Sequence, residues 1–208
     1  MIEIVPAILP KNFEDFEDLD NKLSRLENQV ELAQIDICNP KIFEKTGLPH
    51  WQNFGLEVDL MFKEAEREVG WLIGLRTIRF IIHPNLSRIE KVKEMLEDLK
   101  GVVYFGIALD WQNSLKDLEP FIGLIDTIQV MGIKKIGFQG EPFEESTIDK
   151  VMTLRKKYPE LAISVDGGVN LENAPQLIKA GATRLVIGSA IFGSGDLKAV
   201  IEKFKKLG

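Results

Sequence analysis

Leu161-Ala-Ile-Ser-Val-Asp-Gly-Gly-Val-Asn170 and Thr183-Arg-Leu-Val-Ile-Gly-Ser-Ala-Ile-Phe192 share one grammar. In each, a short apolar run (Ile163 to Val165; Leu185 to Ile187) stops at glycine, and a helix-like stretch follows. Glycine lets the backbone approach a ligand closely, and the helix start beyond it offers unpaired N–H groups at the positive end of a dipole. Two such turns in succession suit a phosphate held between them. In a (β/α)8 barrel the loops after strands seven and eight build that site. Asp166 is the last strand position before the first glycine pair, a place where barrels carry catalytic carboxylates. The alternative is two ordinary βα turns, with glycine for tightness and Asp166 as a helix cap.

The same strand-then-helix alternation extends back to the N-terminus. Ile2 to Val5 reads as the first strand, stopped at Pro6. Asn12 to Leu26 carries Phe13, Phe16, Leu19, Leu23 and Leu26 at helical spacing, with Asn12 and Asp15 as a variant capping box. Val30 to Cys38 is the second strand, and Pro40 to Phe54 is a loop with at most a short helix. Strands three to six follow as Leu56 to Met61, Arg76 to Ile82, Val102 to Leu109 and Ile125 to Met131. Between them lie helical stretches at Phe62 to Leu72, Leu86 to Leu99 and, shortened by Pro120, Ser114 to Phe121. Gly132 to Pro142 is the longest Gly-rich loop; Glu144 to Tyr158, Asn170 to Ala180 and Asp196 to Leu207 complete the helical set. Eight such units imply a parallel sheet closed into a single-domain α/β barrel over residues 1–208, and no GxGxxG fingerprint follows strand one to favour an open sheet.

Alternation along the strands selects candidate site residues. Gln34, Asp36 and Cys38 share one face of strand two, and Asp59 shares a face with Glu57 and Met61 on strand three. A barrel interior is expected to be polar only near its mouth, so Asp36 is a site candidate, with a solvated strand-end acid as the alternative. His50 lies in a loop and reads as exposed, whereas His83 ends strand four and faces either the pocket or the rim.

Composition narrows the function classes. Apolar residues make up 45% and charged residues 28% of the 208 positions, as in ordinary globular proteins. A net charge of −6 argues against a nucleic-acid surface, but a local cradle of N–H groups still binds a phosphate. A single cysteine, Cys38, excludes an intramolecular disulfide and a cysteine-built zinc site. The start Met1-Ile-Glu-Ile-Val-Pro6 has no basic region or long apolar run, so no signal peptide is expected. No stretch approaches the ~20 apolar residues of a membrane span. The expected setting is cytoplasmic. Phe13 and Phe16 suit either the core or an interface between copies, which leaves a homo-oligomer open.

Taken together, these motifs resemble the ribulose-phosphate 3-epimerase family over nearly the full length. The resemblance rests on Pro6-Ala-Ile-Leu9, Ile35-Asp-Ile-Cys-Asn39, Val58-Asp-Leu-Met61, Ile82-His-Pro84, Gly106-Ile-Ala-Leu109, Val130-Met131 and Gly137-Phe-Gln-Gly140. Val165-Asp-Gly-Gly-Val-Asn170 and Gly188-Ser-Ala-Ile-Phe192 carry it most strongly. It implies proton transfer at C3 of a pentulose 5-phosphate, an isomerase reaction, with Asp36 and Asp166 as base and acid on opposite faces and a metal beside them. It implies a phosphate held by Gly137, Gly140, Gly167, Gly168, Gly188 and Ser189, and a pocket lined by Ala7, Cys38, Met61, His83 and Met131.

The departures are as specific. The family's metal set of His, Asp, His and Asp becomes Gln34, Asp36, Asp59 and Asp166. Ala7 replaces a substrate-contacting serine, Asn39 replaces an acid, and Lys134 and Lys135 enter a lengthened phosphate loop. Imidazole suits zinc, whereas oxygen ligands suit manganese or magnesium. Three carboxylates at one mouth repel, so the site either takes up a hard divalent cation or stays metal-free with one carboxyl protonated. Two alternatives stand beside the epimerase reading. One is another phosphosugar lyase or isomerase on this barrel; the Asp-x-Lys-x-x-Asp run of related decarboxylases is broken here by Met61. The other is a non-catalytic phosphosugar-binding protein that has lost its metal.

Overall fold

The computed structural model describes residues 2–39, 41, 54–73, 77–84 and 88–208. Most of the Pro40–Phe54 loop, and His50 with the exposure expected for it, lies outside them, as does the side chain of Phe13.

Eight strands, β1 (Glu3–Ile8), β2 (Leu32–Ile37), β3 (Gly55–Leu60), β4 (Thr77–Ile82), β5 (Tyr104–Leu109), β6 (Thr127–Met131), β7 (Ala162–Asp166) and β8 (Arg184–Ile187), form a closed barrel in sequence order. Every neighbouring pair is parallel, and β1 against β8 completes the ring. This is the (β/α)8 barrel that the alternation predicts. Helices α1 (Phe13–Ser24), α2 (Val69–Ile73), α3 (Ile89–Asp98), α4 (Ser146–Lys157), α5 (Ala174–Ala180), α6 (Ser189–Phe192) and α7 (Leu197–Lys205) lie between the strands or after them. Asn12 caps α1 by accepting the Asp15 N–H at 2.9 Å, while the Asp15 carboxylate takes the Lys11 N–H rather than that of the cap itself. Among the described residues no helix is long and apolar enough to cross a membrane.

Three expectations are corrected. Pro6 does not stop β1, which runs on to Ile8; its pairing with β2 is confined to Ala7 and Ile8, beyond the residue that lacks a donor. Phe62 to Leu72 is not one helix. Glu64 adopts a left-handed φ of 57°, and only a 3-10 turn (Ala65–Arg67) and the short α2 follow.

The third correction concerns the barrel interior. The large core lies between sheet and helices, where Leu23 of α1, Leu154 of α4 and Phe204 of α7 are fully buried. Each contributes about 1.5–3 kcal/mol by leaving water. Inside the ring, Val5, Ala7, Leu32 and Val186 form a small apolar cluster, and polar groups reach down to the floor as well as the mouth. Arg184 (3% exposed) donates to Glu57 (0% exposed) at 2.8 Å and pairs with Glu3, and Arg79 bridges Glu57 at 3.1 Å and Asp126 at 3.0 Å. Opposite charges meet there, so the floor carries buried ions with partners.

Candidate active site

Strand register decides which side chains meet above that floor. Asp36 pairs in register with Asp59, and Met131 with Asp166, so the C-terminal ends of β2 and β3 are level with each other, as are those of β6 and β7. One carboxylate oxygen from each of Asp36, Asp59 and Asp166 lies within 4.8 Å of the others, and all three residues are buried.

Two glutamines hold this acidic cluster apart. Gln34 Nε2 donates to Asp36 Oδ1 at 2.7 Å and to Asp166 Oδ2 at 3.3 Å. Gln129 Nε2 donates to Asp59 Oδ2 at 2.7 Å and to Asp166 Oδ2 at 3.2 Å. His83 completes the arrangement. Its Nε2 lies 2.8 Å from Asp59 Oδ1 and its Nδ1 2.8 Å from Asp110 Oδ1. An ionised carboxylate only accepts, so a ring between two of them is held as the imidazolium, donating from both nitrogens.

The electrostatics follow from this packing. Burial alone would lower the His83 pKa, but Asp59 and Asp110 outweigh it and hold it at about 10. Burial raises Asp36 well above the ordinary carboxylate range, with Asp166 and Asp59 adding to it; the Gln34 hydrogen bond and His83 pull the other way. Asp166 is raised to about 7, first by burial and then by Asp59, against Gln34 and His83. A carboxyl balanced near neutrality both gives and takes a proton, which is what acid–base chemistry at one carbon needs. Cys38 stands at the rim with its thiol held up to about 11 by desolvation, Asp36 and Asp59, so it is not a nucleophile near neutral pH.

Above the cluster opens a cleft lined by Ala7, Asp36, Met61, Met131 and Asp166, and closed at the far end by Gly137, Gly140, Gly167, Gly168, Gly188 and Ser189. Gly167 (φ 95°) and Gly168 (φ 69°) adopt left-handed backbone, and a Cβ on Gly168 would stand 3.0 Å from the Phe143 Cα. Asn173 braces this turn, its Nδ2 donating to the Gly168 carbonyl at 3.0 Å. After β8, Ile191 and Phe192 donate the first helical bonds to Gly188, so the N–H groups of Ser189 and Ala190 precede the ladder of α6.

The sequence-derived residues thus fall into two groups. Ala7, Asp36, Met61, Met131, Asp166 and the six residues expected to hold a phosphate (Gly137, Gly140, Gly167, Gly168, Gly188 and Ser189) line the cleft. Gln34, Asp59 and His83 are fully buried beneath it, so His83 faces neither pocket nor rim; Asp59 and Asp110 enclose it. Cys38 is not in the lining, although a Cβ on Gly137 would stand 2.9 Å from its sulfur. Lys134 turns away, paired with Glu144 at 3.0 Å and 5.0 Å from the Trp111 ring centre, and Lys135 is likewise outside the lining. Gln129 and Asp110 were missed. Gln129 had a signal: in Thr127-Ile-Gln-Val-Met131 it alternates with Met131 and so points inward from a central strand.

The three carboxylates offer only oxygen donors, which fits a hard divalent cation and lacks the imidazole or thiolate that zinc prefers, while the two glutamines present Nε2 to them. Among the described residues Gln34 Oε1 is buried without a hydrogen-bond partner, an unused oxygen beside the cluster.

Comparison with known proteins agrees with this architecture. A profile described as the Ribulose-phosphate 3 epimerase family matches residues 3–192. The chain is 30% identical to the ribulose-phosphate 3-epimerase of Bacillus subtilis over 99% of both proteins. It is 28% identical to the chloroplastic ribulose-5-phosphate-3-epimerase of Arabidopsis thaliana, over 98% of this chain and 76% of that one. Among solved structures, the 3-keto-L-gulonate-6-phosphate decarboxylase from Vibrio cholerae superposes with a TM-score of 0.75 at 13% identity, covering 99% of this chain and 96% of the other. At that identity the likeness establishes the fold alone.

Proposed function

The chain belongs to the ribulose-phosphate 3-epimerase family, and from that membership we propose that it interconverts ribulose 5-phosphate and xylulose 5-phosphate by moving one proton at C3. The observation that carries this reading is the pair Asp36 and Asp166. The two carboxyls share one amide donor, Gln34 Nε2, open to one cleft, and are both raised above the ordinary carboxylate range.

The sugar lies with its phosphate against the N–H groups of Gly167, Gly168, Gly188 and Ser189, under the Gly137–Gly140 loop. Ala7, Met61 and Met131 give C3 an apolar setting, which excludes water from the proton transfer. Asp36 and Asp166 stand on opposite faces of C3. One takes the proton as base, the other returns it as acid, and the roles reverse in the opposite direction. Such groups contribute about 10²–10⁴-fold each. Gln34 keeps the pair apart, and His83 fixes Asp59 behind it. Asp36, Asp59 and Asp166 with Gln34 would hold a divalent cation, manganese or magnesium rather than zinc, which would supply positive charge against the negative charge that develops on the sugar oxygens. The whole of residues 1–208 serves as one phosphosugar-binding domain, in a cytoplasmic setting.

The test is deuterium entry at C3 of ribulose 5-phosphate in heavy water, followed by NMR, using chelator-stripped protein with and without manganese. Exchange together with formation of xylulose 5-phosphate is the expected result. Binding of the sugar with neither exchange nor epimer would refute the assignment.

A further inference from the structure

Gln129 is fully buried in the middle of β6, paired in register with Ala108 and Ser164. Its Nε2 reaches Asp59 and Asp166 at 2.7 and 3.2 Å, whereas its Oε1 is buried with no hydrogen-bond partner among the described residues. Gln34 repeats this from the other side: Nε2 on Asp36 and Asp166, Oε1 buried and unpartnered. Each amide is therefore half satisfied. Interiors leave few polar atoms in this state, and such an atom calls for a reason.

We propose that Gln129 is a member of the cation site, whose amide turns over when a hard divalent cation enters and presents Oε1 as an oxygen ligand beside Asp59 and Asp166. This rests on the cation reading given above. The amide oxygen and nitrogen occupy nearly equivalent places, and a half-turn of the last side-chain torsion exchanges them. In either orientation one half of the amide is unpaired, so the charge at the cluster decides between them. Bare carboxylates select the N–H. A cation among the carboxylates repels the N–H and attracts the carbonyl oxygen, the donor that manganese and magnesium accept. Gln129 thus shields the acids from one another in the free protein and becomes a ligand in the loaded one. An apolar side chain at this position would do neither.

The test uses the full chain stripped with chelator, without sugar. Manganese affinity is measured by calorimetry and by the EPR signal of free ion, for the wild type and for Gln129→Met, which keeps the length and removes the oxygen. The expected result is at least a tenfold weaker manganese Kd in the variant. An unchanged or tighter Kd would overturn the proposal, because it would mean that the amide is only a donor competing with the ion. Absence of binding by the wild type would overturn it as well. A second measurement needs no variant. In the wild-type protein, the Gln129 side-chain amide protons are followed by NMR during a magnesium titration. They should move upfield as they leave the carboxylates; protons that stay in place at saturation would refute the turnover. Because no sugar is present, cation binding through Gln129 without C3 exchange would defeat the epimerase assignment and leave this proposal standing.

Discussion

Replacing His83 with glutamine gives a pH-dependent loss of stability that can be worked from the site. His83 lies between Asp59 and Asp110 with a pKa of about 10, against 6.5 for the free side chain. A folded-state pKa raised above the unfolded value contributes stability that is complete below about pH 6.5 and vanishes as pH rises through 10. At 1.36 kcal/mol per pKa unit, the imidazolium contributes several kcal/mol at pH 5 and pH 7 and about 1 kcal/mol at pH 9. The group is fully buried, so solvent screening takes little from these figures. The decline from pH 7 to pH 9 is the diagnostic part. Urea titrations of both proteins in chelator, at pH 7 and pH 9, measure it directly. In thermal melts the gap should be about 10 °C at pH 7 and a few degrees at pH 9. A stability gap that does not change between these pH values would show that His83 is uncharged, and would break the account of how Asp59 is held.

Three further outcomes are expected. Gly188→Asp places a carboxylate where the phosphate is proposed to sit, with its Cβ 3.3 Å from the Ala7 carbonyl oxygen; calorimetry should find no ribulose 5-phosphate binding, while circular dichroism shows the fold retained. Gly168→Ala combines a φ of 69° with a Cβ 3.0 Å from the Phe143 Cα, and a denaturant midpoint should report a loss of about 2–4 kcal/mol. Asp166, raised to about 7, takes up a proton on folding, so stability falls as pH rises from about 4 to 7. Chelator-stripped protein should therefore melt higher at pH 5.5 than at pH 8.5, and manganese should raise the melting temperature more at the higher pH, where it does not compete with protons.

The barrel was legible in the sequence because its signals are local. Apolar strands, helical spacing in α1, and glycine after β7 and β8 each fix a short stretch, and alternation supplies the order. Boundaries slipped where a local rule met tertiary context. Pro6 reads as a strand end, yet it sits where the pairing with β2 has not begun. Phe62 to Leu72 reads as a helix, yet the chain enters a left-handed turn at Glu64. Most of the cleft residues came from the resemblance to the epimerase family, and Asp36, Asp166 and the glycines after β7 and β8 from strand ends and turns as well. What escaped was chemistry built across strands. That His83 lies between acids of β3 and the β5 loop, and that Gln129 faces Asp59 across the barrel, depends on register, and no single segment carries that information. The Glu57–Arg184 pair escaped for the same reason: alternation places Glu57 on the face of Asp59, but its partner is known only once the ring closes.

Under the proposed reaction, Asp36 and Asp166 serve opposite faces of one carbon. The most direct test is C3 hydrogen exchange into heavy water, measured separately for ribulose 5-phosphate and xylulose 5-phosphate, with Asp36→Asn and Asp166→Asn in manganese. Each variant loses one base and keeps the other. Both should lose epimerisation by about 10²–10⁴-fold, while one retains exchange from one epimer only and the other from the opposite epimer. Loss of exchange from the same epimer in both variants, or unimpaired epimerisation in either, would contradict the account.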